Sequence, residues 1–224
     1  MPSRASNGVA GSGETEPPHD CAICSRLAAV RRQNQLSMPT WHNAPVRSFG
    51  HTDARLLVVG LAPGLKGANR TGRPFTGDYA GDLLYETLIE FGFASGTYRA
   101  DPADGLVLHD CMITNAVRCV PPENKPTPGE INGCRPFLKA TVAAMPKLTA
   151  MVVLGRIAHD STLRTMGRRL AAHPFAHGAC HEMGDHLTMF DSYHCSRYNT
   201  NTGRLTPAMF KAVFAGIRAA LAKH

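Results

Sequence analysis

Short apolar runs closed by turn residues, with segments of helical period between them, set the tightest limit on how this chain can fold. Arg55-Leu56-Leu57-Val58-Val59-Gly60 stops at a loop holding Pro63 and Gly64, and Met112-Ile113-Thr114-Asn115 enters a Pro- and Gly-rich loop. Met151-Val152-Val153-Leu154 ends at Gly155, and a fourth run over 187–193 leads into a polar loop. Apolar runs this short, bounded this way, read as buried strands. Between them, residues 81–91 place Leu83, Leu84, Leu88 and Phe91 at near-helical spacing. Residues 130–145 follow Thr127-Pro128-Gly129-Glu130, a capping box with Pro at the first helical position. Thr206-Pro207 caps a last amphipathic helix through Phe210, Val213, Phe214, Ile217 and Leu221. Strands alternating with helices predict an α/β fold with a parallel sheet covered on both faces, and such sheets carry their sites at the carboxyl ends of the strands. The loops after Gly60, Asn115 and Tyr193 are therefore expected on one edge.

With 224 residues and 43% apolar composition, the chain suits one domain with a full core, and no internal repeat or second boundary is visible. Residues 1–20 are rich in Gly, Ser, Glu and Pro and read as a disordered arm, leaving 21–224 as the domain. The arm has no apolar stretch of signal-peptide type, and no run of about 18 apolar residues occurs, so a soluble cytoplasmic protein is expected. A formal charge of +7 favours polyanionic partners such as nucleic acid. Seven cysteines in such a chain argue against a disulfide framework.

Cys21-Ala22-Ile23-Cys24 is a C-x2-C pair, and Cys119 and Cys134 form a second pair with fourteen residues between them. Four thiolates can close a tetrahedral zinc site or hold a [4Fe-4S] cluster. The wide second spacing is unlike a zinc ribbon and favours the cluster; unligated buried thiols are the plainer alternative. Cys111, Cys180 and Cys195 read as small apolar fillers. The loop over 60–78 is glycine-rich and basic, but matches neither G-x4-G-K-[ST] nor G-x-G-x-x-G, so it argues for no nucleotide cofactor. Its glycines allow close backbone approach to a ligand, and Lys66, Arg70 and Arg73 can meet phosphates; a solvated loop would look much the same. Asp78, Asn115, His194 and an aromatic at strand mouths make a plausible small-molecule pocket. His51, His109, His159 and His177 read as structural or surface residues.

Three motifs carry a resemblance. They are Gly60-Leu61-Ala62-Pro63-Gly64 continuing through Gly67-Ala68-Asn69-Arg70-Thr71-Gly72-Arg73-Pro74-Phe75-Thr76-Gly77-Asp78, then Thr114-Asn115-Ala116-Val117-Arg118-Cys119-Val120-Pro121-Pro122, and His194-Cys195-Ser196-Arg197-Tyr198-Asn199-Thr200 with Thr202-Gly203-Arg204-Leu205-Thr206. Together with the spaced cysteines they resemble the uracil-DNA glycosylase superfamily, and within it the B-type, family 5 enzymes. The likeness runs from residue 21 to the final helix. It implies a three-layer αβα fold around a four-stranded parallel sheet and a structural [4Fe-4S] cluster on Cys21, Cys24, Cys119 and Cys134. Two departures stand out: Leu61 occupies the place of the family 4 glutamate, and Cys195 that of the usual proline between His and Ser. Without the fixed φ of proline, a looser or altered loop is expected there.

The resemblance further implies a monomeric, monofunctional glycosylase acting on DNA that contains uracil or other deaminated bases such as hypoxanthine and xanthine. On that reading Asp78 positions water, His194 stabilises the departing base, Asn115 reads the base edge and Phe75 stacks on it. Gly60, Leu61 and Ala62 line the pocket. Lys66, Arg70, Arg73, Ser196, Arg197 and Arg204 hold the DNA or fill the gap left by the flipped nucleotide. Three other readings compete: a cluster-bearing electron carrier, a non-catalytic DNA-binding module, and a uracil-DNA crosslinking protein, whose basic insertion ending in a nucleophilic His is absent here.

Overall fold

The computed structural model describes residues 15–184 and 186–223. In chain order the elements are α1 (Ser25–Ser37), β1 (Phe49–Gly50), β2 (Leu56–Gly60), α2 (Ala68–Thr71), α3 (Tyr79–Glu90), β3 (Ala94–Ser95), β4 (Val107–Leu108) and β5 (Cys111–Asn115). They continue with α4 (Pro128–Ala143), β6 (Ala150–Leu154), α5 (Arg156–Thr165), β7 (Cys180–Glu182), β8 (Thr188–Ser192), α6 (Arg197–Asn201) and α7 (Pro207–Leu221). One six-stranded sheet runs in the order β1-β5-β2-β6-β8-β7, and β3 and β4 pair in a separate hairpin.

The four apolar runs are β2, β5, β6 and β8, and they pair in parallel at the centre of the sheet. The purely four-stranded parallel sheet that the resemblance implied is corrected: β1 and β7 add an antiparallel strand at each edge, which makes the sheet mixed. These edge strands span two and three residues, too short to show any period.

Alternation along each central strand divides the core into layers. Leu56, Val58, Ile113, Val152 and Phe190 face α3 and α7, packing on Leu84, Leu88, Phe210 and Phe214. Leu57, Val59, Met112, Met151 and Met189 face α4 and α5, packing on Leu138, Ala158 and Leu163. All four central strands are buried on both faces, which explains their unbroken apolar sequences. The αβα layering therefore stands. No described helix is long and apolar enough to cross a membrane.

The predicted capping box is formed. Thr127 Oγ1 accepts from the Glu130 amide at 3.3 Å, and the Glu130 carboxylate accepts from the Thr127 amide at 2.7 Å. Arg26 from α1 grips the same carboxylate with Nε and Nη2 at 2.8 and 2.7 Å. That fork pins α1, which follows Cys21 and Cys24, to the helix that carries Cys134.

Residues 1–14 of the arm read as disordered lie outside the described residues; 15–20 are tied to the domain. Glu16 accepts from the Ser48 amide at 3.0 Å and from Arg118 Nη1 at 2.9 Å. Arg118 is only 1% exposed; Nη1 also donates to Ser48 Oγ and Nη2 to Thr141 Oγ1, while Nε has no partner among the described residues. A buried guanidinium needs that carboxylate, because removing one partner strands the other charge. Glu16→Ala is therefore expected to destabilise the fold by about 3 kcal/mol, the low end for a broken buried pair since Ser48 and Thr141 still accept. Urea titration should show a lower midpoint with an unchanged slope.

Candidate active site

At the carboxyl ends of the central strands lies a cleft of about 540 Å³. Its walls include the loop after β2 from Leu61 to Ala68, Phe75, Asp78 and Tyr79, Asn115 at the end of β5, and His194 with Ser196 and Arg197 after β8. The predicted edge has thus formed, and it gathers the carboxylate, amide, imidazole and aromatic ring.

Backbone positions without side chains make this gathering possible. The parallel register sets Gly60 opposite Asn115. A Cβ on Gly60 would overlap both Asn115 Oδ1 and the Phe75 ring. Phe75 has a left-handed backbone, φ 51°, unusual for an aromatic residue, and its carbonyl is held by the Tyr98 hydroxyl at 3.1 Å. That conformation turns the ring into the cleft beside His194, with centroids 6.0 Å apart and planes 29° from parallel.

Asp78 stands immediately before α3, and a Cβ on Gly64 or Gly67 would collide with its Oδ2. Burial pushes its carboxyl above the ordinary value; the Gly81 and Ala80 amides in the first turn of α3 offset this only in part. Its Oδ1 is buried with no partner among the described residues, and so is Asn115 Oδ1. Buried acceptors without donors are costly unless something else arrives to satisfy them, and these two line the same cleft.

His194 is different in kind. Burial pushes its imidazole down to about 4, so the ring is neutral at physiological pH, with one N–H to donate and one lone pair. Its carbonyl accepts from Asn199 Nδ2 at 2.8 Å, and Ser196 caps α6 by accepting from the Asn199 amide. The loosening expected from Cys195 is met by a tether: this thiol is fully buried and donates to the Ala80 carbonyl at 3.3 Å, joining the His194 loop to the first turn of α3.

The basic residues part company. Lys66 and Arg197 line the cleft, with Arg197 stacked over Tyr79 at 5.2 Å. Arg204, over the Tyr193 ring at 4.6 Å, lines an adjoining groove that shares Leu61 and His194 with the cleft. Arg70 is exposed on α2 outside the cleft lining. Arg73 corrects the phosphate-binding expectation: it is 5% exposed and forms a bidentate pair with Asp104 at 2.8 and 2.7 Å. It also sits over the rings of Phe49, Tyr85 and Tyr98, so it is a core strut under the Phe75 loop. Tyr79 and Asn124 are cleft residues that sequence reasoning missed; adjacency to Asp78 was the available signal for Tyr79, and Asn124 had none.

The four cysteines meet away from the cleft. Cys21, Cys24, Cys119 and Cys134 line one small cavity with Leu27, Arg31 and Val117. Arg31 Nη1 points at Cys119 Sγ from 3.7 Å, and the Arg118 amide donates to Cys134 Sγ at 3.3 Å. Burial pushes the free thiols up, Cys119 to about 11 and Cys134 to about 12. Cys180, read as an apolar filler, is exposed on an edge strand.

A model of the uracil DNA glycosylase superfamily matches residues 47–218. The chain belongs to the type-5 branch of that superfamily. It is 44% identical over 198 residues to the type-5 uracil-DNA glycosylase of Thermus thermophilus, covering 86% of this chain and 90% of that protein. It is 41% identical over 203 residues to the type-5 enzyme of Mycobacterium bovis, covering 87% and 75%. The type-4 uracil-DNA glycosylase of Pyrobaculum aerophilum is more distant, 31% identical over 154 residues, 68% of this chain and 70% of that protein.

The glycines that shape this family member's cleft give a sharp test. Gly64→Ala adds one methyl whose close contact is Asp78 Oδ2, at a residue outside the positive-φ region, so the carboxylate must move. Displacing a reacting group by roughly 1 Å lowers rates about 10²-fold. We expect that loss in turnover of a uracil-containing duplex, with the thermal midpoint little changed.

Proposed function

We propose that the protein is a monofunctional DNA glycosylase that hydrolyses the N-glycosidic bond of uracil, and of other deaminated bases such as hypoxanthine and xanthine, in DNA. The observation that carries this reading is the pairing, in one cleft, of a half-desolvated carboxylate with a neutral imidazole. The base must first leave the stack, at an expense of a few kcal/mol that is smallest for mismatched pairs, and deaminated bases are mismatched. In the hydrolysis the bond from C1′ to the base nitrogen breaks and one from C1′ to a water oxygen forms. The base departs with the electron pair, and the water gives up a proton.

Asp78 suits the water side. Its carboxylate, more basic than a solvated one, accepts from the attacking water through the partnerless Oδ1 and faces positive charge growing on the sugar. His194 suits the base side: as a neutral ring it donates N–H to the base O2, where negative charge collects. Asn115 meets the polar edge of the base with its own buried, unmatched Oδ1, and Phe75 stacks on the ring. Apolar Leu61 and Ala62 make few demands on base identity, which supports breadth. Lys66, Arg197 and Arg204 would contact phosphates, and Tyr198, 73% exposed beside Arg197, stands ready to fill the vacated stack.

The residues around the four-cysteine cavity fit a [4Fe-4S] cluster. Among the described residues, the only trio of His, Cys or carboxylate ligand atoms gathered within 4.8 Å contains no cysteine. No three of the sulfurs therefore lie within 4.8 Å of one another, whereas a tetrahedral zinc–thiolate site would hold them about 3.8 Å apart. N–H groups aimed at sulfur also suit bound thiolates. Such a cluster would cross-link α1 to the start of α4 and take no part in bond cleavage.

Duplexes with a single uracil or hypoxanthine should break only after alkali, with Asp78→Asn slowed about 10²–10⁴-fold and His194→Gln about 10²–10³-fold. A covalent protein–DNA product or bare retention without abasic sites would overturn the hydrolase. Because the Asp78 pKa is raised, its charge is lost at higher pH than an ordinary carboxylate as acid is added. The rate should therefore be flat near neutrality and fall on the acid side with a midpoint above 3.8, and this limb should vanish in Asp78→Asn. A limb near 6.5 that disappears in His194→Gln would contradict the neutral imidazole. Anaerobically purified protein should carry about four irons per chain, and Cys134→Ser should lose them together with thermal stability.

A further inference from the structure

Where α5 and β7 pack on β8, two histidines converge on one buried carboxylate. His159 on α5, His181 on β7 and Asp191 on β8 have side chains 1%, 9% and 0% exposed. His159 Nδ1 lies 2.7 Å from Asp191 Oδ1, and His181 Nε2 lies 3.0 Å from Asp191 Oδ2. One ligand atom from each falls within 4.8 Å of the others, a grouping found nowhere else among the described residues. The cleft chemistry uses none of the three.

The hydrogen-bond pattern shows where a cation belongs. His159 Nε2 faces the His173 carbonyl at 2.9 Å, and a carbonyl only accepts, so Nε2 carries the hydrogen. In a neutral ring, the Nδ1 lone pair then faces a carboxylate oxygen at 2.7 Å inside the protein. Something positive must lie between them. A proton held on His159 Nδ1 satisfies that contact while His181 Nε2 donates to Asp191 Oδ2; a metal ion in the proton's place would take all three side chains as ligands. The surroundings match a ligated state: the second nitrogen of His159 rests on a backbone carbonyl, as metal-bound imidazoles usually do, and the Ala176 amide steadies Asp191 Oδ2 at 3.3 Å. Phe175 packs edge-on against His159 at 5.4 Å, closing the site to bulk water. Two imidazoles and a carboxylate suit borderline divalent ions, zinc first. Metal bonds of about 2.0–2.1 Å set ligand atoms about 3.3 Å apart, so the nitrogen–oxygen contacts of 2.7 and 3.0 Å need open by only about 0.6 and 0.3 Å.

We propose that His159, His181 and Asp191 form a structural site for one divalent transition-metal ion of the zinc class, separate from the four cysteines. The ion ties helix α5, edge strand β7 and strand β8 together three residues before His194. The same corner is already joined by backbone, since the Gly155 amide donates to the Ser192 carbonyl at 2.8 Å. The metal thus braces the strand end that presents the catalytic imidazole.

The test uses the full chain as purified, its iron content measured first, then equilibrated with zinc chloride, gel-filtered and analysed by elemental mass spectrometry. The expected result is one retained zinc per wild-type chain, none in His181→Ala or Asp191→Asn, and the same iron in all three. Zinc should also raise the thermal midpoint of the wild type by several degrees and leave both variants unmoved. Circular dichroism establishes that the variants are folded, and the wild-type uptake stands even if one is not. Absence of retained zinc in the wild type would overturn the proposal, as would equal retention in folded His181→Ala, which would place the ion on the cysteines.

Discussion

The cleft depends on a missing side chain. Gly60 ends β2 opposite Asn115, and any Cβ there would occupy the space of the Asn115 amide and the Phe75 ring. Gly64 and Gly67 then leave room for the Asp78 carboxylate, and Gly81 lets the Phe75 carbonyl close on α3. The loop after β2 is therefore glycine-rich for packing reasons at several points. It holds three groups from separate stretches of chain close enough to serve one small molecule. Rigidity comes from underneath: the Arg73–Asp104 pair, wedged among three aromatic rings, fixes the loop that imposes the strained Phe75 backbone.

Burial then sets the chemistry. The same loss of solvent moves the two titrating groups in opposite directions along the pH scale, and both shifts favour the uncharged form. For His194 this yields a ring that is neutral across the physiological range, which in the proposed reaction would donate to developing negative charge without bringing a full positive charge near the sugar. For Asp78 it yields a carboxylate with unspent basicity and an unmatched oxygen. The two segments are mechanically linked through the Cys195 thiol on the Ala80 carbonyl. A proline would fix this loop through φ; here a sulfur hydrogen bond does comparable work from the side chain.

Much of this was legible in sequence, for identifiable reasons. Strands buried on both faces write themselves as unbroken apolar runs, so β2, β5, β6 and β8 could be read and the site edge inferred from their ends. Strands of two or three residues at the sheet margins leave no such trace, so β1 and β7 came only with the structure. Charge was the poorer guide. Lys66 and Arg73 sit in one basic loop, and nothing local distinguishes a cleft lysine from an arginine whose carboxylate lies 31 residues away at Asp104. His159 and Asp191 are likewise 32 residues apart, and their meeting at a β7–β8 edge is a tertiary fact. Cys195 was visible as a departure, but the partner that gives it a role belongs to another helix.

The central claim is that one flipped base sits between Phe75, Asn115 and His194 with Asp78 on its sugar side. A crystal structure of the wild-type protein with a duplex carrying a hydrolysis-resistant 2′-fluorodeoxyuridine tests this most directly. The account predicts the base out of the helix and in the cleft, with a His194 ring nitrogen within about 3.2 Å of its O2 and the Asp78 carboxylate facing C1′ through a water. A base still stacked in the duplex, or lodged in the cleft with His194 turned away from O2, would contradict it.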